Sequence, residues 1–261
     1  MFRFFRKVRQ RLVVNKSVRR YLLYALGEIL LVVIGIVIAL QIDNWNEWRQ
    51  EREDEQIVLR QLRDDYQANR EQLEQKMQIR DALISAASSI LEEMDHPEQT
   101  IRDSLIGHLT VLLIDPTFDP IENDLSSNGD LRLITNQRLK RMLSNWTSDI
   151  VAVRELEQNW STIVFQQLQP VLRDLGITRD LSNYFVNNLK IDWTLDGIAQ
   201  LKPRDLGSSK QGATVEEIAN SKELEGLVSA AITYNATANL ESHTLHRRME
   251  EILDLREGEL K

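Results

Sequence analysis

The sequence contains no cysteine, which excludes disulfide bonds and thiolate metal sites. Proline and glycine are also scarce, at 5 and 10 of 261 residues, so few positions interrupt helical patterns. Phosphate-binding glycine loops, nucleophile elbows and zinc-protease motifs are absent from the sequence. The common nucleotide-binding and hydrolase classes are therefore not indicated, and we expect a protein without a cofactor that is not an enzyme.

Acidic residues are missing from residues 1–20, although this segment carries eight Lys and Arg. All 40 Asp and Glu lie after it, and the net charge of the chain is −8. From Gln41 onward, 39 acidic residues outnumber 24 Lys and Arg, a balance that repels nucleic acid. The charges predict a short basic tail, a larger acidic domain and no nucleic-acid partner.

The sequence has one long apolar run, at residues 21–42. As a helix this run spans about 33 Å, enough to cross a hydrocarbon core of about 30 Å. Four aromatic residues flank it where membrane-interface anchors are expected, namely Tyr21, Tyr24, Trp45 and Trp48. We therefore predict a transmembrane helix over residues 21–44, with the lipid bilayer as its first partner.

The charge asymmetry around this run predicts its orientation. Basic residues crowd only the N-terminal flank, so residues 1–20 are expected in the cytoplasm and residues 45–261 outside it. A cleaved signal peptide is the competing interpretation, but the run exceeds an apolar region of about 7–15 residues and no A-x-A site follows. Residues 1–13 fit either an interfacial helix, with Phe2, Phe5, Val8 and Leu12 at helical spacing, or unstructured topogenic charges.

Beyond the span, apolar residues recur at helical spacing and alternation is not sustained. Helices are predicted near 45–94, 98–114, 136–173, 177–202 and 218–256. A bend is expected at Pro170, an N-cap at Asn136 and, after a loop over 202–214, a capping box of Thr214 and Glu217. The predicted fold class is all-α: one N-terminal transmembrane helix that continues into a long helix, followed by an extracytoplasmic antiparallel helical bundle.

Several of these helices carry residues with an expected role in packing. Trp146, Val153 and Trp160 are predicted core residues, as are Tyr184, Phe185 and Trp193 in the shorter helices. The polar segment 45–56 is expected to be solvated or paired with the same segment of a second copy. The apolar residues that follow it lie near heptad spacing and predict a coiled-coil contact with a second copy; they are Leu59, Leu62, Tyr66 and Leu73.

Two blocks of sequence resemble an uncharacterised family of bacterial single-span membrane proteins. The first, over residues 4–47, contains YLLYALGEILLVVIGIVIALQIDNWNE, and the second, over residues 118–146, contains SSNGDLRLITNQRLKRMLSNW. Together they cover about a quarter of the chain. The resemblance implies a bacterial inner (cytoplasmic) membrane protein with a periplasmic C-terminal domain, and it implies no activity.

One cluster in the last predicted helix has the residue types of a metal site. His243, His246 and Glu250 are spaced by three and four residues and share one helical face, as ligands of an open zinc site do. The neighbouring Arg247 and Arg248 oppose a cation there, and a solvated helical face explains the pattern equally simply. We therefore predict no metal site.

A second unusual position is Glu28, which lies seven residues into the apolar run, where a carboxylate is costly. At about 100° per residue, the residues on its face include a small-xxx-small pair that permits close helix contact; the face comprises Glu28, Leu31, Gly35, Ala39 and Ile42. The alternatives are helix–helix contact through this face, an ion- or proton-conducting role, and a carboxylate that reaches the headgroups and has no role.

These observations leave several functional hypotheses. The first is a membrane-anchored, non-catalytic interaction or sensor-like protein that is oligomeric through its transmembrane helix. The second is an accessory or scaffold subunit of a larger inner-membrane complex, in which the same helix docks on other membrane subunits. A weaker third hypothesis is an oligomeric channel lined by Glu28.

Overall fold

The computed structural model describes residues 16–121, 130–189 and 202–259. The chain divides into two compact units, residues 1–57 and residues 58–261, which are treated separately below. The possible interfacial helix at residues 1–13 and the packing of Trp193 lie outside the described residues.

All regular elements in the described residues are helical, which confirms the all-α prediction. The α-helices, in chain order, are α1 (Lys16–Asp95), α2 (Arg102–Val111), α3 (Gln137–Ile163), α4 (Gln169–Asp174), α5 (Thr178–Asn188), α6 (Val215–Ala219) and α7 (Lys222–Glu257). A 3₁₀ turn at Asp130–Arg132 precedes α3, and a π-helical segment at Val164–Leu168 joins α3 to α4.

Helix α1 contains both the apolar run and the following polar and amphipathic segments in 80 residues, as the sequence predicted. It ends at Asp95, two residues before Pro97, because a proline disfavours the helical conformation of the residue that precedes it. The Thr100 hydroxyl lies 3.0 Å from the carbonyl oxygens of Glu93 and His96, and the Glu93 carbonyl lacks the usual helical donor because residue 97 is a proline.

The long helices of residues 58–261 are not all antiparallel. Arg80 of α1 contacts Glu157 of α3, and Tyr66, earlier in α1, packs against Trp146 of α3 with ring centroids 4.9 Å apart and an angle of 55° between the ring planes. Residue numbers rise together along this pair, so α1 and α3 run parallel. Helix α7 runs against both, since its earlier residues pack where α1 and α3 end. The described residues 115–121 lead back along the bundle, since the Phe118 N–H contacts Glu157 of α3 and the Ile121 backbone contacts Asn69 of α1.

The backbone hydrogen-bonding pattern changes between α3 and α4, next to Pro170, where the sequence predicted a bend. The backbone N–H of Gln169 donates to the Val164 carbonyl, five residues earlier, and Pro170 follows directly. Proline supplies no N–H for an ordinary helical bond, which fits a π-helical segment at this point. At the other end, the Asn136 side chain accepts from the N–H groups of Arg138 and Leu139, so the predicted N-cap is confirmed.

The last predicted helix is in fact two helices. Thr214 and Glu217 form the predicted capping box, but the helix they begin, α6, lasts only five residues. A second cap follows, in which the Ser221 hydroxyl accepts from the Leu224 N–H and begins α7. The prediction of one helix over 218–256 was therefore wrong at its start, because Ser221 provides an alternative acceptor for exposed backbone donors.

The predicted loop over 202–214 is held to the bundle by backbone contacts. Gly176 adopts a φ of +69° after α4, and the Ile177 N–H donates to the Leu172 carbonyl, as in a Schellman motif. The free carbonyl of Leu175 then accepts from the Ala213 N–H at 2.9 Å. This close approach explains the glycine, since a Cβ on Gly176 would lie 2.7 Å from the Gln211 carbonyl oxygen.

The core predictions for α3 are confirmed, since Trp146, Val153 and Trp160 are all buried. The core consists of two apolar clusters. One holds Trp160 with α2 and the start of α7, and the other holds Trp146 and Val153 with the end of α7. Phe185 is an exception to the predictions: it is exposed on α5, whereas Tyr184 beside it packs against the first cluster.

Candidate functional site

The first candidate site is the apolar part of α1. Its large apolar side chains from Leu26 to Ile42 are between 48% and 73% exposed, although such residues normally lie in the core. This is the one helix of the described chain that is long and apolar enough to cross a membrane. A signal sequence near an N-terminus would have the same length and composition. The segment could therefore span a bilayer, and no apolar surface of its own unit covers it.

The predicted contact face of this segment is open. Glu28, Leu31, Gly35, Ala39 and Ile42 all lie on α1 and are exposed. A Cβ built on Gly35 meets no atom within 4 Å, so the backbone there remains accessible to a neighbouring helix. Contact of this face with another helix, and a role for Glu28, remain predictions.

The predicted interface anchors also lie on α1. Trp45 and Trp48 are 60% and 58% exposed, which leaves both indole rings accessible to a headgroup region. Tyr21 and Tyr24 are helical in backbone, and their side chains are outside the described set. The polar segment 45–56 is mostly exposed as predicted, except that Glu55 is buried and pairs with Arg52.

The coiled-coil prediction is wrong for the residues on which it rested. Leu59, Leu62, Tyr66 and Leu73 are at most 4% exposed, and they belong to the second apolar cluster with residues of α3 and α7. Burial also raises the pKa of the Tyr66 hydroxyl. Because the chain itself covers this face, it is not available for a second copy. Heptad-like spacing fits both a coiled coil and a bundle helix, so the pattern alone did not separate them.

The second candidate site is a buried polar layer between the two apolar clusters. Arg80 of α1 is fully buried and forms an ion pair with Glu157 of α3. Its Nη1 also donates to Asn239 Oδ1 at 3.0 Å and to Ser242 Oγ at 2.9 Å, both on α7. Asn239 in turn donates to Asp81 Oδ1 at 2.7 Å. One guanidinium therefore joins all three long helices.

The electrostatics of this layer depend on burial. Desolvation raises the pKa of the Glu157 carboxyl, while the Arg80 charge and the Phe118 N–H oppose this rise. Removing two charges from water costs several kcal/mol, which their attraction offsets only with good hydrogen bonding. The layer therefore adds little net stability compared with an apolar core, whereas losing one partner would leave the other charge buried and unpaired.

The same layer fastens a segment that crosses the bundle, residues 115–121. The Phe118 N–H donates to Glu157 Oε2 at 2.9 Å, and the Phe118 ring is fully buried. Further along, the Asn69 amide both donates to and accepts from the backbone of Ile121, at 3.0 and 2.7 Å. Side chains of α1 and α3 thus replace the backbone partners that this extended segment lacks.

Sequence reasoning missed this layer, although the sequence carries a signal for it. Glu157 follows Val153 by four residues and precedes Trp160 by three, which places it in the buried stripe of α3. Asn239 and Ser242 similarly continue the stripe of α7 between Ala231 and Leu245. Polar residues at core positions indicate a buried network, provided that a partner such as Arg80 lies opposite.

His243, His246 and Glu250, the cluster for which the sequence predicted no metal site, all lie on α7. His243 is exposed, whereas His246 Nε2 lies 2.7 Å from Glu74 Oε1 and its Nδ1 lies 3.7 Å from Glu250 Oε2. Among the described residues, no group of three possible ligands is close enough to hold a metal ion. His246 instead connects α7 to α1.

Comparison with known proteins finds a similarity to a protein family. Residues 28–103 match the model of a family of unknown function (DUF6090), which agrees with the resemblance to an uncharacterised family. The match covers most of the apolar run and the part of α1 that follows it. It ends before the second block of resemblance, at residues 118–146. No curated protein and no solved structure matches the chain.

Proposed function

We propose that this chain is a membrane-anchored, non-catalytic binding protein of a sensor-like kind. Its apolar helix spans a bacterial inner membrane, residues 1–20 lie in the cytoplasm, and the helical bundle lies in the periplasm. The observation that carries the proposal is the run of exposed apolar side chains from Leu26 to Ile42, preceded by eight cations and no acid. In a bilayer, a helix of this length forms all its backbone hydrogen bonds internally. The exposure of its apolar side chains, unfavourable in water, is then favourable because they contact hydrocarbon.

A non-catalytic role is supported by the use of the buried titratable groups. Arg80 and Glu157 neutralise each other and hold three helices and a crossing segment together. Such groups have a structural role already, and they lie in a core where a substrate has no access. Binding, rather than chemistry, is therefore the role we assign to the bundle.

The orientation is tested with a reporter that is active only in an oxidising compartment. Alkaline phosphatase fused after Lys261 is expected to be active, because its disulfides form in the periplasm. The matched control is the same reporter fused directly after Arg20, ahead of the apolar run, which is expected to be inactive. A well-expressed but inactive fusion at Lys261 would show that the proposed orientation is wrong.

The open face of the span favours assembly within the membrane. Lipid provides no hydrophobic drive between helices, so contact depends on close backbone approach and on polar groups. Gly35 and Ala39 permit that approach, and Glu28 is hydrogen-bonded at the contact, since an unpaired charge costs about 2.5–3.5 kcal/mol at the centre of the bilayer and less near its edge. The protein is proposed to form oligomers through this face.

An association assay of residues 18–48 separates the oligomer from the accessory-subunit alternative. Self-association of the wild-type span is expected to fall with Gly35→Ile and with Glu28→Leu, while Ile38→Leu serves as a conservative control. A monomeric span that neither change affects would contradict self-association. Loss of a larger complex in cells on the same two substitutions would then favour an accessory subunit, and ion conductance that depends on Glu28 would favour a channel.

A further inference from the structure

An open groove of about 470 Å³ lies between α1 and α7, within residues 58–261. Helix α1 lines it with Arg63, Gln67 and Arg70, and helix α7 lines it with Glu250, Asp254 and Glu257. Both sets are spaced by four and three residues, which places each set on one face of its helix. The groove therefore has a basic wall on α1 and an acidic wall on α7, and α7 contributes one further cation, Arg256.

The two walls do not neutralise each other by direct contact. In the described ranges, the recorded ion pairs of these wall residues join members of the same helix, and none crosses the groove between the two sets. The pairs are Arg63–Asp64 at 2.8 Å, Arg70–Glu74 at 3.7 Å, Glu250–His246 at 3.7 Å and Glu257–Arg256 at 3.5 Å. At one end, Glu74 and His246 link the two helices at 2.7 Å and pair with Arg70 and Glu250 respectively, while among the described residues no direct ion pair joins the two sets of lining residues.

Arg256 is the least exposed charged residue of the lining, with a side chain that is 3% exposed. Its Nη2 lies 3.5 Å from Glu257 Oε1, while its Nε and Nη1 have no hydrogen-bond partner. Arg70 Nε is likewise buried without a hydrogen bond. Unsatisfied buried donors cost about 1–3 kcal/mol each, and more when charged. Burial also lowers the pKa of Arg256. Arg256 lines the groove, so a carboxylate bound there would meet a positive charge that has little compensation from the protein.

We propose that the groove binds a small zwitterion of the amino-acid class, with its carboxylate toward Arg256 and Arg70 and its ammonium toward Glu250 and Asp254. A simple anion would be repelled by the acidic wall and a simple cation by the basic wall. A molecule with both charges meets the opposite sign on both sides. Guanidinium groups also bind carboxylates through two parallel hydrogen bonds, which favours this orientation.

The volume of the groove fits this class of ligand. Small-molecule sites commonly enclose about 300–1,000 Å³, and the groove lies within that range. The inference rests on the proposed function, since it names a ligand for the binding role of the bundle.

The experiment measures the unfolding temperature of the full chain in detergent micelles, with near-UV circular dichroism as the signal. The probes are glycine, 4-aminobutyrate and 6-aminohexanoate at equal millimolar concentrations, which vary the distance between the two charges. Butyrate and butylamine are the controls, because each carries one of the two charges alone. At least one zwitterion is expected to raise the unfolding temperature by several degrees, and neither control is.

Three substitutions in the groove and one outside it test whether the zwitterion binds in the groove. The affinity of each variant for the zwitterion is measured by calorimetry. Arg256→Met and Asp254→Asn are each expected to weaken binding of the active zwitterion at least tenfold. Arg70→Gln, at a half-exposed position, tests the basic wall if Arg256→Met does not fold. The matched control is Glu251→Gln, which removes one charge from the same helix at an exposed position that pairs with Arg138 outside the groove. Its affinity is expected to equal that of the wild type.

The proposal is overturned if no zwitterion raises the unfolding temperature of the wild-type chain. It is also overturned if butyrate or butylamine acts as strongly, or if the groove variants bind as well as Glu251→Gln. An active zwitterion together with an inactive phosphatase fusion at Lys261 would contradict the proposed orientation and leave the groove site standing. The two proposals therefore fail separately.

Discussion

The two units of the chain place similar side chains in opposite surroundings. In residues 1–57, the apolar side chains of α1 are exposed and Glu28 is a lone acid among them. In residues 58–261, apolar side chains fill two buried clusters, and the buried charges Arg80 and Glu157 neutralise each other. The second unit supplies its own hydrophobic partners and its own counter-charges. Among the described residues, the apolar run of the first unit has neither hydrophobic partners nor a counter-charge for Glu28, which is consistent with the bilayer or helix partners proposed above.

The largest expected effect tests whether the exposed apolar residues face lipid. Val33→Arg together with Val37→Arg should abolish membrane integration, because each Arg near the centre of a span costs about 2.5–3.5 kcal/mol. Integration is measured as resistance to alkaline carbonate extraction. The control is Gln50→Arg with Asp54→Arg, which has the same spacing at exposed positions beyond the apolar run. If the Val33 and Val37 variant stayed in the membrane fraction like the control, a lipid-facing span would be contradicted.

The buried ion pair should be the most sensitive point of the second unit. Either Arg80→Met or Glu157→Met is expected to lower the free energy of unfolding by about 3–5 kcal/mol, because each leaves an uncompensated buried charge. The double variant should recover most of that loss, since it buries no charge at all. Urea unfolding of the four proteins in a double-mutant cycle measures the coupling. Additive losses would mean that the two residues do not act as a pair.

The third prediction compares a buried tryptophan of the second unit, Trp160, with an exposed tryptophan of the first unit, Trp48. Trp160→Ala should lower the free energy of unfolding by about 3–5 kcal/mol, since the ring is buried and its removal leaves a cavity. Trp160→Phe should cost less, because the buried indole Nε1 has no hydrogen-bond partner to lose. Trp48→Ala, at an exposed position of the first unit, is the control and should leave urea unfolding of the bundle unchanged. Equal losses for Trp160→Ala and Trp48→Ala would contradict this assignment.

The smallest expected effects come from two glycines of the second unit. Gly176→Ala should destabilise by about 1–2 kcal/mol through its left-handed backbone, with a further cost from the Gln211 carbonyl 2.7 Å away. Gly226→Ala is the matched control in α7, where nothing lies within 4 Å, and it should stabilise by about 0.5–1 kcal/mol. Thermal unfolding distinguishes the opposite signs. A stabilising Gly176→Ala would contradict the left-handed conformation of Gly176 and its close contact with the Gln211 carbonyl.

Part of this comparison was predictable from the residues. The all-α class, the continuation of the apolar run into a long helix, the cap at Asn136 and the capping box at Thr214 all follow from local patterns. The inward faces of α3 and α7 were also predictable, because helical periodicity places residues such as Trp160 and Met249 on one side. The second cap, at Ser221, was missed because two capping residues competed within eight positions.

The candidate sites were less predictable than the helices. The face of Glu28, Gly35 and Ala39 is a pattern within one helix, and spacing alone identifies it. The contacts of Arg80 depend on residues 77 and 159 positions away, so no local pattern pairs it with Glu157 or Asn239. The groove beside Arg256 has the same origin, since its two walls come from opposite ends of the bundle sequence.

The sequence by itself determined the helices, the position of the apolar run and the asymmetry of charge around it. These depend on composition and on periods of a few residues, which are local. The tertiary structure alone decided that α1 and α3 run parallel and that Leu59 and Leu62 face the chain's own core rather than a second copy. It also decided which buried charges meet. Such contacts depend on the packing of helices far apart in sequence, where the same amphipathic face can pair with several partners of equal hydrophobicity.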